Sequence, residues 1–378
     1  MSAKTAKRSG GGLEKRKNQR RSGLELLRVI AMLFIIMHHL ILYTGSGIID
    51  TPMDPSVRGC LFSGLCGFGK TGVAIFFLIT GYFLCASKKR PNPKRVIPIV
   101  RQAIFYVLAG FALCWLVYPE LIKISFPPVG VTSYFLSVFW SGCYWFIGAY
   151  ALLILIAPQL KKMFDSLSDK DLTRLSIVIV TAVTLVSDVI RFTSTGVGIT
   201  IFVFPTAFVF TLVGYTIRRR EKDIKSLKWP IIAFLLGVLL IMITPILESI
   251  YAKNGLGDLT GIFSREQATG TMLASIGLFI IFSRMKWKNC FVNKIASYTL
   301  GVYLVHNSPF IAFGVMVAVT EWMRGIFYGS SIAVSVAALV GLTLGTFVAS
   351  CLVEFARRLT VKIIVWFCTL EKDKTHSV

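Results

Sequence analysis

Residues 22–42 read SGLELLRVIAMLFIIMHHLIL. An acid and a base, Glu25 and Arg28, open the stretch. A long apolar run follows, and two histidines, His38 and His39, lie inside its far end. No glycine or proline interrupts the run after Gly23, so it reads as one helix, expected over 24–44. A helix turns about 100° per residue, so the eleven residues from Arg28 to His39 bring them to within about 20° of one stripe, about 16 Å apart along the axis. Glu25, three residues before Arg28, shares that face. His38 points about 100° away from His39. Polar groups aligned on one face of an apolar helix are unfavourable in lipid and mark a candidate functional site.

The rest of the chain sets this helix in a membrane. It has 378 residues, 55% of them hydrophobic, and a formal net charge of +23. Its mean hydropathy is +0.71. Many segments approach the roughly 20 apolar residues that cross a bilayer. They are continuous and too long for the alternating strands of a membrane barrel. The fold class is therefore an all-α polytopic integral membrane protein of about ten transmembrane helices. These are expected near 24–44, 70–87, 97–118, 141–158, 174–190, 199–217, 229–247, 267–283, 295–319 and 330–353.

The charge is distributed between the apolar runs. KKRPNPKR (88–95), RRREKDIKSLK (218–228), RMKWKNCFVNK (284–294) and the tail with Arg357, Arg358 and Lys362 are all basic. They fall on one side of the layout, which places both termini in the cytoplasm by the positive-inside rule. The same clustering speaks against nucleic acid as a partner. Residues 1–22 read as a basic cytoplasmic tail near anionic lipid, 23–353 as the membrane domain, and 354–378 as a cytoplasmic tail. That tail is either an interfacial helix or the end of the tenth segment. The protein is expected in the cell membrane as a multi-pass chain.

Eight cysteines show no metal-ligand spacing. Cys60 and Cys66 fall in one expected outer loop, 45–69, where a disulfide and two free thiols are both open. With four histidines and no HExxH, no metal site is expected. There is also no GxSxG, P-loop or GxGxxG after a strand.

Three further stretches carry signal. In GVAIFFLITGYFL (72–84), Gly72 and Gly81 permit close helix approach. In SGCYWFIGAYALLILIAPQL (141–160), Trp145 stands where an aromatic belt would stand, Tyr150 lies deeper, and Pro158 is expected to close the segment. In SYTLGVYLVHNSPF (297–310), His306 is an ionisable group inside an apolar run, open both to packing and to function.

Together these residues resemble the membrane-bound acyltransferase family 3. The carrying features are Arg28 and His39 with ten residues between them, GVAIFFLITGYFL, YWFIGAYALLILIAP, YTLGVYLVH and the ten-helix layout, over roughly residues 22–353. Glu25 stands where relatives often have Asp, and Thr80 where they often have Ser. The resemblance implies an O-acyltransferase with no bound cofactor. Its co-substrate would be cytoplasmic acyl-CoA, most often acetyl-CoA. Its acceptor would be a hydroxyl of a cell-envelope glycan, such as a polysaccharide, or of a lipid-linked sugar. It carries the catalytic role onto His39 and donor binding onto Arg28, and more loosely onto Arg95 and Arg101. Glu25, His306, Trp145 and Tyr150 are supporting candidates. Two other classes suit an apolar bundle with an interior Arg and His. One is a transporter or flippase of a lipid-linked glycan, although no internal repeat is visible; the other is a membrane sensor or partner-binding domain.

Overall fold

The computed structural model describes residues 21–42, 56–117, 143–193, 203–254, 261–308, 319, 324–326 and 329–375. Among them the fold is all-helical, with no strand. The helices are α1 (Ser22–Leu42), α2 (Val57–Ala86), α3 (Val96–Val117), α4 (Trp145–Ser166), α5 (Asp169–Thr193), α6 (Val203–Arg219), α7 (Lys228–Lys253), α8 (Thr269–Ser283), α9 (Cys290–Ala296), α10 (Thr299–His306) and α11 (Ile332–Thr375). Among the described residues, six apolar segments are long enough to cross a membrane: α1, α2, Pro93–Val117, α4, α7 and Ile332–Trp366. The remaining helices fall short in length or apolarity.

The second helix is the hub. It packs against α1, α4, α6, α7 and α8. It also begins thirteen residues before the expected position, at Val57 instead of Lys70. Four glycines in that extension (Gly59, Gly64, Gly67 and Gly69) lower its intrinsic helix propensity. Tertiary contact overrides the propensity: Gly64 lies against Met242, Gly67 against Ile241 and Ser264, and Gly69 against the His38 ring. Ser56 caps the helix by accepting from the Gly59 N–H at 3.0 Å. Cys60 and Cys66 therefore sit on one helix. Six residues apart, they are separated by about 9 Å of rise, beyond the reach of a disulfide.

Farther down α2, the backbone meets α6 closely. A Cβ on Gly81 would run into the Thr211 carbonyl, and one on Gly214 into that of Leu78. Gly72 likewise faces the Ala31 carbonyl of α1. The small-residue reading of GVAIFFLITGYFL thus has a defined partner at each glycine.

Two other expectations need correction. The fourth helix runs through Pro158 to Ser166 instead of stopping at the proline. The segment expected as one helix over 295–319 is broken at Ser297 and Tyr298 and stops at His306, with 309–318 outside the described residues. The tail after 353 continues the last helix without interruption to Thr375, 44 residues in all. At about 66 Å this helix is longer than the roughly 30 Å of hydrocarbon it could occupy.

The outer surface is apolar. On α7, Ile232, Leu235, Leu239, Ile243, Ile246 and Ile250 are exposed at helical spacing. On α11, Leu344, Val348 and Leu352 are likewise exposed. Such stripes suit a lipid environment, where apolar exposure carries no solvation penalty.

One end of the bundle is held by charge. Arg21 donates to Glu221 at 2.6 Å, Arg218 donates to the same carboxylate, and both guanidiniums bond the Tyr82 hydroxyl. Arg284 donates to the Glu221 carbonyl at 3.2 Å. Nearby in sequence to the last basic segment, buried Glu354 accepts from Tyr106, Gln102, Arg357 and Arg358 and so ties α3 to α11.

Burial alone would raise the Glu221 carboxyl. The Arg21 and Arg218 guanidiniums overrule burial and hold it below its ordinary value. A carboxylate lowered on folding stabilises the fold above its unfolded pKa, and that stability is lost as pH falls through the folded one. Glu221→Gln is therefore expected to cost about 1–2 kcal/mol at neutral pH, the partial exposure of the cluster keeping it below a fully buried pair. The variant should also flatten the loss of thermal stability between pH 6 and 3. Melting curves in detergent across that range check both.

Candidate active site

The site forms where α1, α2 and α10 meet near the far end of α1. The last turn of α10 places His306, 1% exposed, beside His39. The His39 Nδ1 and His306 Nε2 atoms are 3.1 Å apart, and the ring centroids 5.2 Å. On its other side, His306 Nδ1 lies 2.6 Å from the Val302 carbonyl, one turn back along its own helix.

These two contacts fix proton positions for neutral imidazoles. A carbonyl only accepts, so His306 Nδ1 carries a hydrogen and donates it to Val302. The lone pair of His306 is then on Nε2, which accepts from Nδ1–H of His39. That assignment puts the His39 lone pair on Nε2. The result is a relay, Val302 carbonyl to His306 to His39, that sets one tautomer and ring orientation for His39.

His38 turns the other way, as the helical phase predicts. Its Nδ1 donates to the Cys66 carbonyl of α2 at 2.8 Å, with the Cys66 sulfur 3.2 Å away. A side chain at Gly69 would occupy the space of this imidazole. Adjacent histidines on α1 therefore serve two different helices, with ring centroids 5.5 Å apart.

Arg28 and Glu25 are an ion pair at 2.6 Å, Glu25 nearly buried and Arg28 a quarter exposed. The acid thus holds the guanidinium, three turns of helix from His39. Arg95 and Arg101 are exposed on the 3-10 turn Pro93–Arg95 and on α3. Neither makes a side-chain bond to Arg28 or to any other described residue. Trp145 and Tyr150 lie on α4 and both touch the Phe146 ring, Tyr150 stacked on it at 6.0 Å and Trp145 edge-on at 6.2 Å. Phe146 meets Tyr303 at 5.5 Å, and Tyr303 meets His306 at 6.0 Å. The two aromatic candidates are thus wall residues, two rings removed from the imidazole pair.

Three further side chains hold the end of α10. Tyr144 donates to the Leu304 carbonyl, Tyr303 to that of Cys143 at 2.8 Å, and Asn307 also to Cys143. They clamp the end of α10 to the start of α4 and so hold His306 in place. Lys70 of α2 pairs with Glu266 at 2.6 Å, on the same side as His38. A lone lysine inside an apolar helix is a recognisable signal, but a helix expected to begin at Lys70 hides it at the membrane edge. Among the described residues no group of three or more His, Cys, Asp or Glu side chains has metal-site geometry.

A protein-family model described as an acyltransferase domain matches residues 21–354. The chain belongs to acyltransferase family 3. The match begins at Arg21, spans α1 with Arg28 and His39, and ends at Glu354 on α11. Searches of curated proteins and of solved structures each returned nothing that matches. With its apolar transmembrane helices, this family 3 member is a membrane acyltransferase. Acyl transfer needs a base within hydrogen-bond reach of the nucleophile, and a neutral histidine of fixed tautomer is such a group.

Proposed function

We propose that this family 3 protein moves an acyl group, acetyl foremost, from cytoplasmic acyl-CoA to a hydroxyl of a cell-envelope glycan or lipid-linked sugar, in the cell membrane. The observation that carries the proposal is the Val302–His306–His39 relay at 2.6 and 3.1 Å. It is the arrangement a general base requires.

In this reading the basic segments face the cytoplasm, and Arg28 lies near that face. His39 lies about 16 Å farther along α1, in the outer part of the bilayer. The two residues are too far apart to act on one atom. Arg28, held by Glu25, grips a phosphate of CoA with its planar fork. The pantetheine arm runs up the stripe and brings the thioester to His39. Arg95 and Arg101, both exposed, add positive field at the cytoplasmic mouth without a defined contact.

The chemistry balances within these groups. Nε2 of His39 takes the proton as the acceptor oxygen attacks the thioester carbonyl carbon. The tetrahedral intermediate collapses, the carbon–sulfur bond breaks, and the imidazolium returns its proton to the departing thiolate. His306 accepts the Nδ1–H hydrogen bond throughout and stabilises the imidazolium, which has two protons to donate.

Purified protein in liposomes with carbon-14 acetyl-CoA tests the function. Label bound covalently to a hydroxyl acceptor supports the enzyme. Movement of unmodified lipid-linked sugar across the bilayer, with no covalent label, supports the transporter instead. Arg28→Lys keeps the charge and loses the fork. It is expected to raise the KM for acetyl-CoA by about tenfold, the equivalent of one charge-assisted hydrogen bond, with kcat within about twofold. Steady-state kinetics over a range of donor concentrations check this.

A further inference from the structure

Between α7 and α8 the chain makes an irregular turn at residues 261–268 that folds in against α2. Four bonds pin it. Glu248 accepts from the Gly261 N–H at 2.5 Å, where φ is +73°. Gln267 donates to Thr206 at 2.8 Å, and Thr269, just past the turn, donates to Asp188 at 2.5 Å. Glu266 pairs with Lys70 at 2.6 Å. Ser264 fills the space over Gly67, so the turn reaches α2 at the level of the histidines.

The position of Lys70 follows from helix geometry. It lies four residues after Cys66, so the two share a face. Helical side chains lean toward the N-terminus, which tilts Lys70 back toward Cys66 and the His38 ring bonded to it. The His38 ring in turn lies 5.5 Å from the His39 ring, centroid to centroid. Measured from Ala86, sixteen residues away, Lys70 is about 24 Å along α2, still inside a hydrocarbon layer about 30 Å thick.

A charge pair at that depth needs a reason. Lys70 and Glu266 keep 28% and 30% of their side-chain surface accessible, while the relay nearby is sealed at His306. Accessible charge and non-helical backbone at membrane depth occur where the protein lines a polar cavity. A paired ammonium and carboxylate is also the set that neighbouring hydroxyls complement, because each hydroxyl both accepts and donates.

We propose that the Lys70–Glu266 pair, with the 261–268 turn as its wall, is the subsite that holds the hydroxyl groups of a sugar acceptor on the His38 side of the imidazole pair, within one sugar ring's reach of His39. Glu266 accepts from one hydroxyl, Lys70 donates to its neighbour, and the reacting hydroxyl is presented to Nε2. The inference rests on the acyl-transfer reading and adds to it the residues that choose the acceptor.

The test uses the full chain in proteoliposomes with carbon-14 acetyl-CoA and two probes of equal chain length, octyl β-glucoside below its micellar concentration and octanol. The wild type is expected to favour the glucoside in kcat/KM by about tenfold or more, since a site built to bond hydroxyls rejects an analogue lacking them. Glu266→Gln should cut that preference to less than about threefold. Folded yield in the membrane and acetyl-CoA binding should stay unchanged, which reports an intact fold and donor site. Glu266→Asp, which keeps the charge, should retain part of the preference. An unchanged preference in Glu266→Gln overturns the subsite. So does loss of folded yield and transfer together in both Glu266 variants, which makes the pair a structural tie. Equal use of octanol and glucoside by the wild type overturns the subsite and leaves acyl transfer standing, whereas transfer to neither probe removes both.

Discussion

His39→Ala lowers acyl transfer by about 10²–10⁴-fold, the contribution of one positioned general base, and leaves the protein inserted and folded. The size of the effect follows from what is lost. The imidazole is the group whose lone pair the His306 contact directs to Nε2, and alanine supplies no proton acceptor in its place. The fold should survive because α1 is anchored by other side chains on its buried faces, among them Leu24, Leu27, Ile36 and Leu40. His38→Ala is the control. That imidazole bonds Cys66 of α2, so its loss should lower turnover by less than about tenfold, the scale of a single hydrogen bond. Quantified label on the acceptor, normalised to folded protein in the membrane, separates the two variants. A His38→Ala defect deeper than that of His39→Ala would assign the base to the wrong histidine.

His306→Ala gives the second largest loss, about 10²-fold in kcat with the donor KM nearly constant. A misoriented or wrong-tautomer base costs up to about 10⁴-fold in a Ser-His-Asp triad, and solvent that enters the space left by His306 restores part of the hydrogen bond. His306 acts through His39 and is a positioning residue, so the readouts must go beyond total activity. His306→Gln offers a side-chain oxygen to His39 Nδ1–H and should recover about tenfold over alanine, one hydrogen bond's worth. The pH profile of kcat should shift in the alanine variant, because the imidazolium formed in the reaction loses its acceptor. A merely structural histidine would instead lower donor affinity, folded yield and kcat together, with no rescue by glutamine.

Much of the fold was legible because it rests on local pattern. The helix expected at 24–44 is α1 at Ser22–Leu42, and the uninterrupted apolar run leaves few alternatives. The separation of His38 from His39 also followed from helical phase alone. Partner choice was not legible. His39 and His306 are 267 residues apart in sequence, and no local periodicity specifies that they meet. The start of α2 was misplaced for a physical reason. Gly59, Gly64, Gly67 and Gly69 weaken a helix considered alone, but they are the positions at which Met242, Ile241, Ser264 and His38 come close. Shortening α2 in this way moved Lys70 to a membrane edge and concealed its pairing with Glu266. The same contact-driven extension corrected Cys60 and Cys66 from loop residues to helix residues. Trp145 and Tyr150, the aromatic candidates, both touch Phe146, which in turn meets Tyr303.

The proton on His39 is the point on which the account turns, and nitrogen-15 magnetic resonance on histidine-labelled protein in lipid bilayers reads it directly. With His39 assigned by comparison with His39→Ala, the relay predicts a protonated Nδ1 and an unprotonated Nε2 in the neutral ring. It also predicts that the Nδ1 proton is hydrogen-bonded to Nε2 of His306. A neutral His39 with its proton on Nε2 would contradict the account, because the basic nitrogen would then face His306 instead of the acceptor hydroxyl.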